Sequence, residues 1–277
     1  MTATSPAILG YRRFLEERDG TPDLYGDTLS RREEFYRRIE SEPLRSRWVP
    51  DRATFLRNAA RARPEPGLDA RMIWLLATAK ANQAERFGVE LGKLYGRIPD
   101  EDDEPEHVHV LLQETYHTRT LADVVGIFGL PVPRRPPSRA TRCLIRAMVF
   151  NPLPRRFVLP LVGLSEMLGC VMFRLLRDRG IELFAEEPAV AARIRVLFDE
   201  ILADEICHVG LVEAQLGRTG RSVVGTLYRG VGRRLPARLA PEYAAAVGNE
   251  RLDAAFAMRF DTRAWAAEFP ETSYAFG

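Results

Sequence analysis

Two short motifs place a carboxylate and an imidazole at helical spacing. Glu114 is followed three residues later by His117, and Glu205 is followed three residues later by His208. Residues three apart on a helix share one face, so each pair can offer an oxygen and a nitrogen ligand to one metal ion. Either motif alone is more typical of a solvated pair on a helix surface. Two such motifs, which use two of the four histidines in the chain, predict a metal site.

Two further carboxylates complete a candidate ligand set. Glu166 is the single acid in the apolar run 164–169, where an unpaired carboxylate would be costly to bury and needs a partner such as a metal ion. Further upstream, Glu85 and Glu90 are alternatives. We prefer Glu85 because small residues share its helical stripe and leave room for close approach, and Glu90 remains the alternate.

The segments that carry these residues have helical periodicity. Four long helices are predicted near residues 68–95, 105–128, 157–179 and 188–217, and a short helix is predicted near residues 140–150. Gly180 and Gly217 are expected to end the third and fourth long helices. We find no convincing strand and no internal repeat. The sequence therefore predicts an all-α protein in which every long helix supplies part of the ligand set.

The chain is expected to form a single domain over residues 1–277. Residues 68–217 are predicted to be the four-helix core that holds the metal site. Residues 1–67 are predicted to be an N-terminal helical extension packed outside that core. Residues 218–277 are predicted to form short helices and a tail.

Composition narrows the class of protein and its partners. The 277 residues are 46% hydrophobic, and a net charge of +2 does not favour nucleic acid as a partner. Three widely spaced cysteines, at positions 143, 170 and 207, argue against a disulfide framework and favour a cytoplasmic location. The N-terminus lacks the pattern of a signal peptide, and we expect no apolar stretch long enough to span a membrane.

The combined pattern resembles the ligands of the di-iron carboxylate oxygenase superfamily, which includes the arylamine N-oxygenases: Glu85, Glu114-x-x-His117, Glu166 and Glu205-x-x-His208. The resemblance covers roughly residues 68–217. It implies a ferritin-like four-helix bundle with additional flanking helices at both ends. It also implies that these six residues bind two iron ions, with a manganese–iron pair as the alternative.

The same resemblance implies roles for residues beside the ligands. Asp204 would accept a hydrogen bond from His117 and so orient its ring, and Gln113 would do the same for His208. Cys170, one turn after the third-helix glutamate, would line the pocket beside the metals rather than act as a nucleophile.

Three other residues bear on the prediction. Ile201 stands where the arylamine N-oxygenases carry an extra histidine ligand, so an identical N-oxygenase site is not expected. Trp74 and Cys143 are predicted to be buried in the core rather than to contact a substrate.

The resemblance implies an O2-dependent monooxygenase that acts on a small, largely apolar organic substrate by hydroxylation or N-oxygenation. Glu114 and Glu205 would be its central catalytic carboxylates. The chain has no Gly-x-Gly-x-x-Gly fingerprint and no cysteine cluster for iron and sulfur, so an external reductase or ferredoxin is expected to supply electrons.

Three alternatives remain open at this stage. The first is a ferritin- or rubrerythrin-like protein that handles iron or removes peroxide, and the second is a helical scaffold without metal. The third is a membrane-surface quinone hydroxylase, in which Arg155 and Arg156 of the Pro/Arg-rich stretch 133–160 contact a lipid surface. Contact with an acidic carrier protein, homodimer formation and the identity of the substrate also stay open.

Overall fold

The structure, a computed structural model, describes residues 6–23, 26–94, 105–149, 155–232, 234–235 and 241–269. Nearly all regular structure in these residues is helical, which confirms the all-α class. The N-terminal elements are α1 (Pro6–Asp19), β1 (Pro22–Asp23), β2 (Thr28–Leu29), α2 (Ser30–Ser41) and α3 (Arg52–Ala59). The central elements are α4 (Ala70–Leu94), α5 (Pro105–Gly126), α6 (Arg139–Val149), α7 (Arg155–Leu183) and α8 (Pro188–Val231). The C-terminal elements are α9 (Pro241–Val247), α10 (Asn249–Ala257) and α11 (Thr262–Ala266).

The four long helices surround a shared hydrophobic core. Helix α4 packs against α5 and α7, and α8 packs against the same two helices. Each long helix contributes fully buried side chains, among them Leu76, Leu121, Leu176 and Phe198. Burying one such side chain stabilises the fold by about 1.5–3 kcal/mol relative to leaving it exposed. Tertiary packing of the apolar faces therefore holds the helices together.

Trp74 of α4 packs closely against α7 at Gly180. Trp74 is fully buried, as predicted, and its indole nitrogen donates a hydrogen bond of 2.8 Å to the carbonyl of Leu176. A β-carbon on Gly180 would lie 2.5 Å from the Trp74 ring, so close packing requires glycine at this position. The prediction that Gly180 ends the third helix is wrong, because α7 continues to Leu183.

The fourth long helix is interrupted at the predicted glycine but does not stop there. Gly217 has φ 63° and ψ −176°, a conformation that favours glycine. Helical structure resumes after it and runs to Val231. The helix is therefore interrupted at Gly217, but the prediction that it ends there is wrong.

Helix α1 forms a separate hydrophobic cluster with α8. Tyr11, Phe14 and Leu15 of α1 are buried with Cys207 and Leu211 of α8. The extension was expected to pack outside the core, and this cluster is separate from the main core but contacts α8, the helix that carries a predicted ligand pair.

Two smaller expectations are corrected. The sequence showed no convincing strand, but Pro22 pairs with Leu29 in a short antiparallel ribbon. Cys143 was predicted to be buried, and it is exposed on α6.

Helix α7 bears on the expectation that no uninterrupted apolar stretch could span a membrane. By length and composition alone, Val158–Leu183 is long and apolar enough to cross a membrane, although charged residues such as Glu166 interrupt it. Its most apolar 18-residue window has a mean hydropathy of 1.6 and is half buried inside the protein, and core helices of soluble proteins have the same properties.

Candidate metal centre

Helices α4, α5, α7 and α8 bring the six predicted ligand residues together. Their ligand atoms fall into two groups, each with all atoms within 4.8 Å of one another: Glu114, Glu166, Glu205 and His208 in one, and Glu85, Glu114 and His117 in the other. Glu114 belongs to both groups. These buried and partly buried carboxylates and imidazoles could hold a metal ion, and the shared carboxylate could serve two ions.

The distances between ligand atoms suit metal coordination. The Nδ1 atom of His208 lies 3.3 Å from a carboxylate oxygen of Glu114 and 3.4 Å from one of Glu166. The Nδ1 atom of His117 lies 3.5 Å from Glu114 and 3.4 Å from Glu205. Ligands about 2.1 Å from one ion at tetrahedral or octahedral angles are about 3.0–3.4 Å apart.

Both histidines present a free nitrogen to these carboxylates. Their Nδ1 atoms are buried and have no hydrogen-bond partner among the described residues. The opposite nitrogens are engaged, since His117 Nε2 lies 3.2 Å from Asp204 and His208 Nε2 lies 2.9 Å from the side-chain oxygen of Gln113. These are the two contacts that the resemblance implied. They leave each Nδ1 facing the carboxylates, where a metal ion could displace its proton and bind the nitrogen.

Residues of the N-terminal extension support both contacts, which was not predicted. The Gln113 amide donates a hydrogen bond of 2.6 Å to Asp19, and Asp19 also accepts a hydrogen bond of 2.9 Å from Arg32. Arg32 contacts Asp204 as well, and Arg18 lies 3.3 Å from Asp204. A chain of polar contacts through α1 and α2 therefore connects the two histidines.

Burial and the charges of neighbouring carboxylates raise the pKa values of two carboxyl groups in the site. Burial, followed by the nearby charge of Glu114, raises the pKa of Glu85 well above its ordinary value. Burial and then the charge of Glu166 raise the pKa of Glu205 in the same way. Such crowding of like charges disfavours four ionised carboxylates in one site. Two divalent cations would neutralise them.

The two histidines lower the pKa of Glu114. Burial would raise its pKa, but the adjacent rings of His117 and His208 outweigh burial and hold the pKa well below its ordinary value. In return, the carboxylates of Glu114 and Glu166 overcome burial and raise the pKa of His208 to about 10. The site therefore attracts positive charge at its centre.

The structure distinguishes between the two candidate acids of the first long helix. The side chain of Glu90 is 63% exposed and lies 3.9 Å from Arg86 on the same helix. Glu85 instead belongs to one of the two groups of candidate ligands. The preference for Glu85 over the alternate Glu90 agrees with this placement.

Gly169 of α7 lies beside Glu205, and the next residue, Cys170, lies in the hydrophobic core. A β-carbon on Gly169 would lie 2.6 Å from a Glu205 carboxylate oxygen, so this carboxylate depends on a glycine. Cys170 was predicted to line the pocket, but it is fully buried in the hydrophobic core, and Gly169 and Phe173 line the cavity instead. Burial raises the pKa of the Cys170 thiol well above its ordinary value, which keeps it a neutral core residue.

A cavity of about 610 Å³ opens onto the candidate ligands. Glu85, Glu114, Glu166 and Glu205 all line it. Small residues of α4 and the apolar face of α6 form much of the remaining wall, including Ala84, Gly88, Leu144, Ile145 and Met148. A small organic molecule in this cavity would lie directly beside the four carboxylates.

No family model matches the chain, and neither a curated protein nor a solved structure matches it. The function has to be inferred from the geometry of the site.

Proposed function

We propose that the protein is a non-heme di-iron monooxygenase that uses O2 to oxidise a small, largely apolar organic molecule. The observation that carries this proposal is the convergence of six ligand residues from four helices, with two unpartnered imidazole nitrogens directed at shared carboxylates. A ferritin-like arrangement of α4, α5, α7 and α8 is part of the same proposal.

Each group of ligands would hold one ion. Glu166, Glu205 and His208 would help to hold the first, Glu85 and His117 would help to hold the second, and Glu114 is within reach of both. Carboxylate and imidazole donors without a thiolate suit iron and manganese. We therefore propose two iron ions, with a manganese–iron pair as the alternative.

A ferrous pair bound at this site would supply two electrons for the reduction of O2. Side chains of the protein orient the imidazole rings and hold the substrate. Asp204 and Gln113 hold the two imidazole rings so that Nδ1 faces the site. The apolar wall of the cavity excludes water and holds the substrate beside the carboxylates. An external reductase or ferredoxin would return the iron to the ferrous state.

The cavity favours this proposal over iron handling or peroxide removal. Those functions need access for small ions or peroxide, but they need no large apolar chamber beside the ligands. The quinone hydroxylase alternative depended on Arg155 and Arg156, whose side chains lie outside the described part of the structure.

The proposal is tested by loading the protein with ferrous iron under anaerobic conditions and measuring iron by elemental analysis. We expect two iron ions per chain, and O2 consumption that increases with small apolar compounds. A folded protein that retains no iron would contradict the proposal. Iron-dependent O2 consumption that no organic compound changes would instead favour an iron-handling protein.

A further inference from the structure

The cavity has a charged end that the proposed chemistry does not use. Lys80 of α4 and Glu242 of α9 both line it, together with Tyr243. Glu242 is only 3% exposed. Within the described parts of the chain, no basic nitrogen lies within 4 Å of its carboxylate. A carboxylate in this position is stabilised by a hydrogen-bond donor that a ligand can bring.

The charged end lies a short distance from the candidate ligands. Lys80 precedes Glu85 by five residues on α4, which corresponds to about 7.5 Å along the helix axis. Tyr243, Glu85 and Glu242 all line this one cavity. A molecule with a small ring or a short alkyl chain can therefore reach from Glu242 to the ligand carboxylates.

The two charged residues are not equally free to bind a substrate. The ammonium of Lys80 already donates a hydrogen bond of 2.9 Å to the backbone carbonyl of Arg61, and Lys80 is only partly buried. Glu242 is more deeply buried. The Lys80 ammonium keeps two further donors, but a substrate carboxylate bound there would face the like charge of Glu242 in the same cavity, whereas a substrate amine would bring a charged donor to Glu242.

We propose that Glu242 binds a protonated amine, so that the substrate is an amphipathic amine whose apolar part reaches the metal-site carboxylates. This inference rests on the proposed function. It places the nitrogen away from the oxidised position and therefore favours hydroxylation of carbon over N-oxygenation. In that reaction one atom of O2 enters a C–H bond to form an alcohol, and the other leaves as water. The external donor provides the two electrons, and solvent provides the two protons.

The inference is tested with three probes that share one apolar chain: octylamine, octanol and octanoate. Their binding to zinc-loaded protein is measured by calorimetry, because zinc fills the site without redox chemistry. We expect octylamine to bind about tenfold or more tightly than octanol, as is typical of a charge-assisted hydrogen bond. Glu242→Gln is expected to remove this preference and to leave octanol binding unchanged.

Two matched variants serve as controls. Glu250→Gln changes an exposed glutamate on α10 and is expected to leave the amine preference intact. Lys80→Met removes the other charge of the cavity and is also expected to leave it intact. Octanoate as the tightest ligand, or an undiminished amine preference in a folded Glu242→Gln protein, would overturn the inference.

A crystal structure of the octylamine complex gives a second measurement that needs no variant. An amine nitrogen at hydrogen-bond distance from Glu242 would support the inference, and a nitrogen among the metal ligands would overturn it. The calorimetry is repeated on metal-free protein, where octylamine binding still has to depend on Glu242. If the protein retains no iron after ferrous loading but still binds octylamine through Glu242, the proposed oxygenase is contradicted and the amine site is supported.

Discussion

The orientation of each histidine follows from what its second ring nitrogen contacts. Asp19 can only accept hydrogen bonds when ionised, so it fixes the amide group of Gln113 as the donor between them. The amide oxygen then faces His208 and accepts from its Nε2. The carboxylate of Asp204 likewise accepts from Nε2 of His117. Both rings are therefore expected to coordinate metal through Nδ1.

Glu85 and Glu90 give a matched pair of variants at the residue scale. Glu85→Gln removes a charged ligand from the group that contains His117, so bound metal should fall from two ions per chain to about one. Glu90→Gln should keep both ions, because that side chain is 63% exposed on the helix surface. Elemental analysis after metal loading measures the outcome. Equal metal content in the two variants would remove Glu85 from the ligand set.

A substitution at Gly169 tests how closely α7 approaches Glu205. A β-carbon at this position would lie 2.6 Å from a Glu205 oxygen and would displace the carboxylate. Gly169→Ala should weaken metal binding by about tenfold or more. It should not weaken the metal-free helix, since alanine is favoured over glycine by about 1 kcal/mol.

Gly126→Ala, near the end of α5, is the control because a β-carbon there meets nothing within 4 Å. Calorimetric titration of both variants with zinc gives the two affinities. A Gly169→Ala protein with wild-type affinity would show that Glu205 has room to move without loss of the site.

At the scale of elements, α1 and α2 act on the site through a buried group of charges. Arg32 contacts Asp19, Glu200 and Asp204, and Arg18 contacts the last two as well. Asp19 and Asp204 are almost fully buried. Breaking a buried ion pair by removing one partner leaves an uncompensated charge and is strongly destabilising.

Arg32→Met should therefore lower the free energy of unfolding by about 3–5 kcal/mol. Arg31→Met changes the neighbouring, exposed arginine and should shift it by less than about 0.5 kcal/mol. Urea denaturation of the metal-free proteins measures both values. Similar unfolding free energies for the two variants would mean that the charge network contributes little to folding.

The elements show which features a sequence can specify. The four long helices and the ligand-bearing faces were predictable, because Glu-x-x-His spacing and helical periodicity are local. The contribution of Asp19 and Arg32 was not, because their partners lie 94 and 172 residues away and the N-terminal segment contains many similar charges. Gly180 and Gly217 illustrate the same limit, because both were predicted to end a helix. Gly180 lies inside α7 where it packs against Trp74, and the backbone angles of Gly217 interrupt α8 without ending it.

At the scale of the whole molecule, one carboxyl of α5 outside the candidate metal centre links stability to pH. Burial raises the pKa of Asp123 to about 6, and Glu40 opposes the lowering effect of Arg119. A carboxyl whose pKa is higher in the folded state destabilises the fold where it is ionised. That penalty is present above about pH 6, and it disappears as pH falls towards the ordinary pKa.

Asp123→Asn should consequently increase the free energy of unfolding by about 1 kcal/mol at pH 7.5, after allowance for solvent screening of a partly exposed group. The difference from the wild type should shrink towards zero near pH 4. Urea denaturation at the two pH values tests this. A variant that is no more stable than the wild type at pH 7.5 would show that Asp123 is adequately solvated.

Metal binding should stabilise the whole fold, because the ligands come from four helices that meet only in the folded chain. An ion that binds only the folded state adds about 2.7 kcal/mol per site at a hundredfold excess over its dissociation constant. In a domain of this size, each kcal/mol raises Tm by roughly 2–4 °C. Two zinc ions should therefore raise Tm by roughly 10–20 °C, and Glu85→Gln should show about half of that increase. A Tm that zinc leaves unchanged would mean that the six residues do not bind metal together.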